Sequence, residues 1–139
     1  MFTQSFDELS IKTNGSKLIK ITEKVSNFVN QSKILNGILN ISILHTSASL
    51  IIQENADDDV QKDIINFYDK LVPMNEDLYI HNTEGKDDMP AHIKSTLTNS
   101  NLTLSIKNNK FYRSHQDHKW NFKYINFTYK RFINHSRKC

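Results

Sequence analysis

Ile38-Leu39-Asn40-Ile41-Ser42-Ile43-Leu44-His45-Thr46-Ser47-Ala48-Ser49 is the stretch from which the rest of this 139-residue chain can be read. Its first seven residues alternate, Ile38, Asn40 and Ser42 against Leu39, Ile41 and Ile43, and are rich in β-branched side chains. They predict a strand with one face on a core. His45 stands at the end of that strand, two hydroxyls follow, and beyond Leu50 to Ile52 comes the polar group Glu54-Asn55-Ala56-Asp57. A buried apolar segment needs none of these groups and a chemical site needs most of them, so the stretch reads as the first half of a site.

Working outward, Asn36-Gly37 closes a helix that Thr22 can cap and that carries Val25, Phe28 and Val29 on one face. Before it, residues 2 to 13 alternate loosely and predict a strand, with Asn14-Gly15 turning into a second one at Lys17 to Ile21. Downstream, Asp57, Asp58 and Asp59 open an amphipathic helix with Val60, Ile64, Phe67, Tyr68 and Leu71 at spacings of three and four. Acids are favoured in a first helical turn by the helix dipole. Pro73 ends it. Leu78 to Ile80 reads as a short strand ending at His81, and Asp88 with Pro90 as the start of a helix bearing Ile93 and Leu97. Leu102, Leu104 and Ile106 then alternate as a last strand. The expected fold is α+β, a single domain with a mainly antiparallel sheet and two to three helices.

The totals narrow the class. A chain of this length buries about two thirds of its unfolded surface and needs no disulfide framework. Its single cysteine, Cys139, has no partner within the chain, which fits a reducing compartment. No secretory leader is apparent in the first ten residues, and no run of apolar residues is long enough for a membrane span. The expectation is a cytoplasmic protein with no membrane partner. The net charge of +3 is uneven: residues 114 to 139 carry +5, leaving −2 for the rest. That tail also holds Trp120, Phe122, Tyr124, Phe127, Tyr129 and Phe132. Interleaved basic and aromatic residues at face value suggest a nucleic-acid surface.

His45, His81 and His92 each sit beside small, polar or acidic residues. Three imidazoles with nearby carboxylates can hold Zn²⁺, the carboxylates orienting the rings, or can grip a phosphate. The plain alternative is three solvated strand ends and helix turns, with Asp57 to Asp59 serving only the helix dipole and the hydroxyls only a turn. The spacings of 36 and 11 between the histidines match no compact metal motif.

Taken together, His45-Thr46-Ser47-Ala48-Ser49, Glu54-Asn55-Ala56-Asp57 and His81-x-x-Glu84-Gly85-x-Asp87-Asp88-Met89-Pro90-Ala91-His92 resemble the YjbQ-like family, also called the secondary thiamine-phosphate synthase family. The likeness covers about residues 2 to 112. It implies a small trimeric α+β protein and a secondary activity that joins a pyrimidine pyrophosphate to a thiazole phosphate. It further implies His45, His81 and His92 as metal or anion ligands, with Zn or Mg as the divalent ion. Thr46, Ser47, Ser49 and Asn55 would bind the phosphorylated small molecule, and Glu54, Glu84 and Asp88 would act as acid, base or ring-orienting groups. The alternative reading is a non-catalytic metal- or phosphate-ligand-binding protein.

The family pattern continues with Gly-Thr-Trp-Gln after the last strand and then a Glu-x-Arg element. Here the positions read Arg113-Ser114-His115-Gln116, and only Gln116 agrees. The genetic code offers a reason. If the DNA of about residues 31 to 56 is copied after codon 113 and read one base early, Asn36 gives Lys119, Gly37 gives Trp120, Ile38 gives Asn121 and Leu39 gives Phe122. The series runs unbroken to Ala56 giving Cys139, with consistent third bases, and the next codon can be a stop. Ser114, Gln116 and Asp117 also fit, while His115 and His118 each need one base change. The expected organisation is therefore a family domain at 1–113, incomplete, and an aberrant tail at 114–139. On this reading the tail's lysines and aromatics are no evidence of nucleic-acid binding. The strands that finish the sheet should be lost or replaced, leaving an unpaired edge that the tail either covers imperfectly or leaves open to aggregation. A homotrimer is expected only for a complete fold, and this copy is expected to be impaired.

Overall fold

A computed structural model describes residues 3–54, 57–112 and 120–126. Lys17–Lys20 forms β1, Thr22–Ser32 α1, Asn36–Ser42 β2, Ala48–Glu54 β3, Asp58–Leu71 α2 and Asp88–Thr96 α3. Asn101–Lys107 is β4, Lys110–Phe111 β5 and Trp120–Asn126 β6. The strands make two three-stranded sheets, β1-β6-β3 and β2-β4-β5, with every pair antiparallel. The chain is thus α+β, with three α-helices among the described residues. None of its described helices is long and apolar enough to cross a membrane.

The decisive strand forms as its alternation requires. In β2 Leu39 turns inward and is buried, whereas Ile38 on the opposite face is 76 % exposed. Opposite it β4 contributes Leu102 and Ile106, and these pack with Leu50, Ile21, Val25 and Val29 as the larger core. Val25 and Val29 are one turn apart on α1, which is how that helix reaches the core. On β3 the next residue, Ile51, points the other way and packs with Leu18, Ile65 and Tyr68 around Ala91. The sheet containing β3 is therefore covered on both faces, by α1 and the second sheet on one side and by α2 and α3 on the other.

A two-residue turn joins β4 to β5. Asn108 and Asn109 both take positive φ, 54° and 58°, the conformation such hairpins demand and asparagine tolerates. Asn109 Nδ2 also donates to the carbonyls of Val29 and Ile34, satisfying oxygen atoms left open where α1 ends.

Four expectations are corrected. Residues 3–14 form no strand, and residues 3 to 10 are exposed. Leu78 to Ile80 is not a strand either: Glu76–Leu78 is a single 3₁₀ turn, fixed by Asn75 Oδ1 accepting from the Asp77 amide, and Ile80 is fully exposed. Ile21, not Thr22, takes the N-cap position of α1, and Thr22 is its first helical residue. On α2 and α3 the inward faces are rotated from the expected ones, since Phe67, Leu71 and Leu97 are exposed while Pro90, Ala91 and Lys94 are buried. Of the two outcomes expected for the edge left by the missing strands, the described residues show the tail covering it. Tail residues 120–126 fill the centre of the sheet, with Lys123 opposite both Lys20 and Ile51. The side chain of Glu54, all of Asn55 and the tail residues 114–119 and 127–139 lie outside the described residues.

Candidate metal and anion site

Two separate pieces of chain meet at the site. The first is the turn between β2 and β3, where the Ile43 amide donates to the Ser100 carbonyl and keeps the turn beside the end of β4. Within that turn the Ser47 amide donates to His45 Nδ1 at 3.0 Å, and the Ser47 hydroxyl lies 3.0 Å from the same nitrogen. The second piece is His81 to His92. Gly85, at φ 125°, makes the reversal that a side chain would resist, and the Asp88 amide then donates to its carbonyl. This starts α3 with Asp88 and His92 one turn apart on the same face.

Asp88 is the hub. Its Oδ2 lies 2.9 Å from His81 Nε2 and 3.4 Å from His92 Nε2. The carboxylate is nearly buried, with 11 % of its side chain exposed, while both rings keep one side open to solvent. The two ring centroids are 6.2 Å apart and steeply inclined, so each presents an edge nitrogen to the carboxylate instead of stacking. One ligand atom from each of His81, Asp88 and His92 falls within 4.8 Å of the others.

The donor set fits a cation. A tetrahedral zinc with bonds of about 2.0–2.1 Å holds its ligand atoms about 3.3–3.4 Å apart, close to the separations seen here. Two imidazoles and a carboxylate suit zinc, leaving a position open for a ligand oxygen. For binding, each Nε2 must give up its proton, so the ion competes with the hydrogen bonds to Asp88.

The two pieces are clasped by groups that the sequence reading missed. Ser95 Oγ donates to the Thr46 carbonyl at 2.6 Å, and Thr98 Oγ1 donates to Ser49 Oγ at 2.6 Å. On the far side of α3, Lys94 reaches Asp69 of α2 at 2.5 Å, tying the helix that carries Asp88 and His92 to its neighbour. Lys94 stands in phase with Ala91, which is the one signal that betrayed its burial. Burial holds the His45 ring below the usual histidine range, the nearby His92 adds to this, and Asp88 opposes it.

Of the expected site residues, the structure brings His81, Asp88 and His92 into one cluster. Thr46 is exposed beside it, whereas Ser47 and Ser49 are buried and engaged with His45 and Thr98. Glu84 is exposed on the intervening turn, outside the three-residue cluster. The backbone of Glu54 lies at the other end of β3, roughly 20 Å from Ala48 at the usual strand rise.

A family model described as UPF0047 protein YjbQ-like matches residues 7–118. The chain is 44 % identical over 109 residues to the UPF0047 protein sll1880 of Synechocystis, covering 78 % of this chain and 74 % of that one. It is 40 % identical to the UPF0047 protein YjbQ of Salmonella typhimurium over 77 % and 76 % of the two chains. Among solved structures, an uncharacterized conserved protein of the yjbq/upf0047 family from Clostridium acetobutylicum superposes with a TM-score of 0.74 at 30 % identity, covering 85 % of this chain and 87 % of that one. The conserved hypothetical protein TT1486 of Thermus thermophilus gives 0.74 at 25 % identity, over 86 % and 88 %.

Proposed function

Because the chain belongs to the UPF0047 YjbQ-like family, we propose that its His81, Asp88 and His92 hold a divalent cation and that this face binds the phosphate groups of a small molecule. The observation that carries the reading is the spacing around Asp88 Oδ2, 2.9 and 3.4 Å from the two imidazole nitrogens. The reaction proposed is the joining of a pyrimidine pyrophosphate to a thiazole phosphate. In it a carbon–nitrogen bond forms to the thiazole, a carbon–oxygen bond breaks, and pyrophosphate leaves with the bonding electrons. A bound cation would supply positive charge to the leaving oxygens. The chain's own part is to orient: Asp88 fixes both imidazoles, and the Ser95 and Thr98 clasp holds their helix against the His45 turn.

Zinc content and affinity test this. The purified chain should take up about one zinc, and His92→Ala or Asp88→Ala should lower affinity by about 10- to 100-fold or more. A chain that takes up no zinc, or keeps its affinity in both variants, would sink the cation reading. Pyrophosphate release from the two substrates then separates a transferase from a binding protein. Leu44, Ile80 and Leu97 are exposed on the segments that carry the site, which favours a homo-oligomer, trimeric as the family resemblance implies, in which these residues are covered. Light scattering of the purified chain checks it.

We also infer that residues 119–139 are an out-of-frame second reading of the DNA of residues 36–56. Every residue in the stretch is compatible with the shifted reading under the genetic code, and the family match ends at residue 118. The gene sequence decides the matter: codons 119 to 139 must repeat that DNA in the shifted frame.

A further inference from the structure

The stretch before β1 carries a surface that the cation site does not use. Residues 3–10 are exposed and form neither strand nor helix. Phe6 is 88 % exposed and Leu9 38 %. Between them stand Asp7 and Glu8, which form no ion pair among the described residues. Ile11 packs against the larger core and Thr13 is buried, so this arm is anchored at its root and exposed beyond it.

Beside the root lies a groove of about 360 Å³, lined by Ser10, Ile11, Lys12, Ile19, Lys20 and Lys24. It borders an edge strand: in the order β1-β6-β3, β1 has β6 on one side and no described strand on the other. Three of the six lining residues are lysines. Among the described residues the one carboxylate paired with any of them is that of Glu23, 3.6 Å from Lys20 and itself well exposed. Lys20 and Lys24 also flank the start of α1, where the helix dipole favours negative charge and Ile21 offers no side-chain acceptor. An unpaired strand edge beside isoleucines and uncompensated lysines suits an extended segment that is acidic and partly apolar.

We propose that residues 3–9 of a second copy of this chain fill the groove as an added strand beside β1. The arm has the required chemistry. Alternate residues of a strand face opposite ways, so Phe6 with Glu8 and Asp7 with Leu9 send one apolar and one acidic side chain to each face. A chain's own arm is a poor occupant, because Ser10 already lines the groove and the reversal needed to enter it would use up Asp7, Glu8 and Leu9. Residues 127–139 carry four lysines and arginines and no acid, the wrong charge for a lysine-lined groove. A second copy supplies the acidic arm and offers a groove in return, so copies are coupled through their sheet edges. The coupling does not depend on the cation reading.

The full chain tests this, with unlabelled and nitrogen-15-labelled protein mixed at low salt and treated with a carbodiimide, which joins a carboxylate directly to a neighbouring amine. Mass spectrometry should find Asp7 or Glu8 joined to Lys12, Lys20 or Lys24, with the two halves drawn from differently labelled chains. In sedimentation, Asp7→Lys with Glu8→Lys should weaken self-association about tenfold, the worth of two or three exposed ion pairs. Adding Lys20→Glu and Lys24→Glu to that chain should restore most of the loss, which a merely structural role of the arm would not allow. A peptide of residues 3–9 should compete with self-association of the parent, and its scrambled version should not, so the proposal stays testable even if the fourfold variant fails to fold. A parent chain that stays monomeric at the highest concentration tested would overturn the proposal. So would linkages confined to one chain, or association that is indifferent to the arm's charge and to the peptide; the last result would leave the exposed Leu44, Ile80 and Leu97 to account for assembly.

Discussion

Two lysines are buried in this protein on either side of the same small core, and they are treated differently. Lys94 on α3 is 1 % exposed and is paired with Asp69. Lys123 on β6 is fully buried, and its Nζ has no hydrogen-bond partner among the described residues. Taking an ammonium out of water costs several kcal/mol unless a counter-charge and hydrogen bonds compensate it. Lys94 has both and fixes the helix that bears the site. Lys123 stands opposite Ile51 and Lys20, and among the described residues it has no hydrogen bond to offset the cost, only the longer-range attraction of Asp58. The first lies within residues 7–118, which the family model matches, and the second lies outside.

The inferred second reading explains the contrast physically. Shifting the frame of AT-rich strand codons yields Phe, Tyr, Ile and Asn, so the product still favours a strand and can occupy the gap between β1 and β3. Frame-shifting cannot preserve which alternate positions are apolar. On the proposed reading the junction of the Leu39 and Asn40 codons would become Lys123, which is on an inward position.

The largest test of the comparison is to remove the paired lysine. Lys94→Met should cost about 3 kcal/mol in urea unfolding, toward the low end for breaking a buried pair because Asp69 keeps some solvent contact. Adding Asp69→Leu should recover most of that loss, and a loss below about 1 kcal/mol would show the pair to be ornamental. The opposite sign is expected for the other residue: Lys123→Met should raise stability by about 1–3 kcal/mol, since it removes a buried unsatisfied group. A destabilised Lys123→Met would mean that the ammonium has a partner after all.

Acidity sharpens the difference further. Burial holds the Lys123 ammonium below the usual lysine value of 10.5, Lys20 adds to this, and Asp58 opposes it. The folded state therefore sheds this proton before the unfolded state does. Its penalty is full below the lowered folded-state value and fades as pH rises from there toward 10.5. The stability gap between Lys123→Met and the parent should accordingly narrow with rising pH, and a gap that widens would contradict the assignment. The smallest effect expected is for Thr98→Val, which removes one hydrogen bond to Ser49 and should cost about 1 kcal/mol or less.

Much of the fold was legible because it rests on local periodicity. The alternation of Ile38 to Leu44 and of Leu102 to Ile106 placed β2 and β4, and the acids at 57 to 59 placed the start of α2, where the Asp57 carboxylate accepts from the Asp59 amide. The inward phase of α3 was misread because a lysine is normally assigned to solvent. His81, Asp88 and His92 could be singled out from their polar surroundings and family likeness. The clasp made by Ser95 and Thr98 could not, since a hydroxyl at the end of a helix or just past it announces no partner 49 residues away.

By itself, then, the sequence determined the α+β class, the strand that opens the candidate site, the residue types gathered there and the basic, aromatic composition of the tail. Those follow from residue type and spacing, which are local and discrete. Only the tertiary structure decided that Asp88 serves both imidazoles, that His45 Nδ1 is already occupied, and that tail residues complete the sheet of β1 and β3. Each of these depends on which distant groups meet at hydrogen-bonding distance, and that is set by packing across the whole chain.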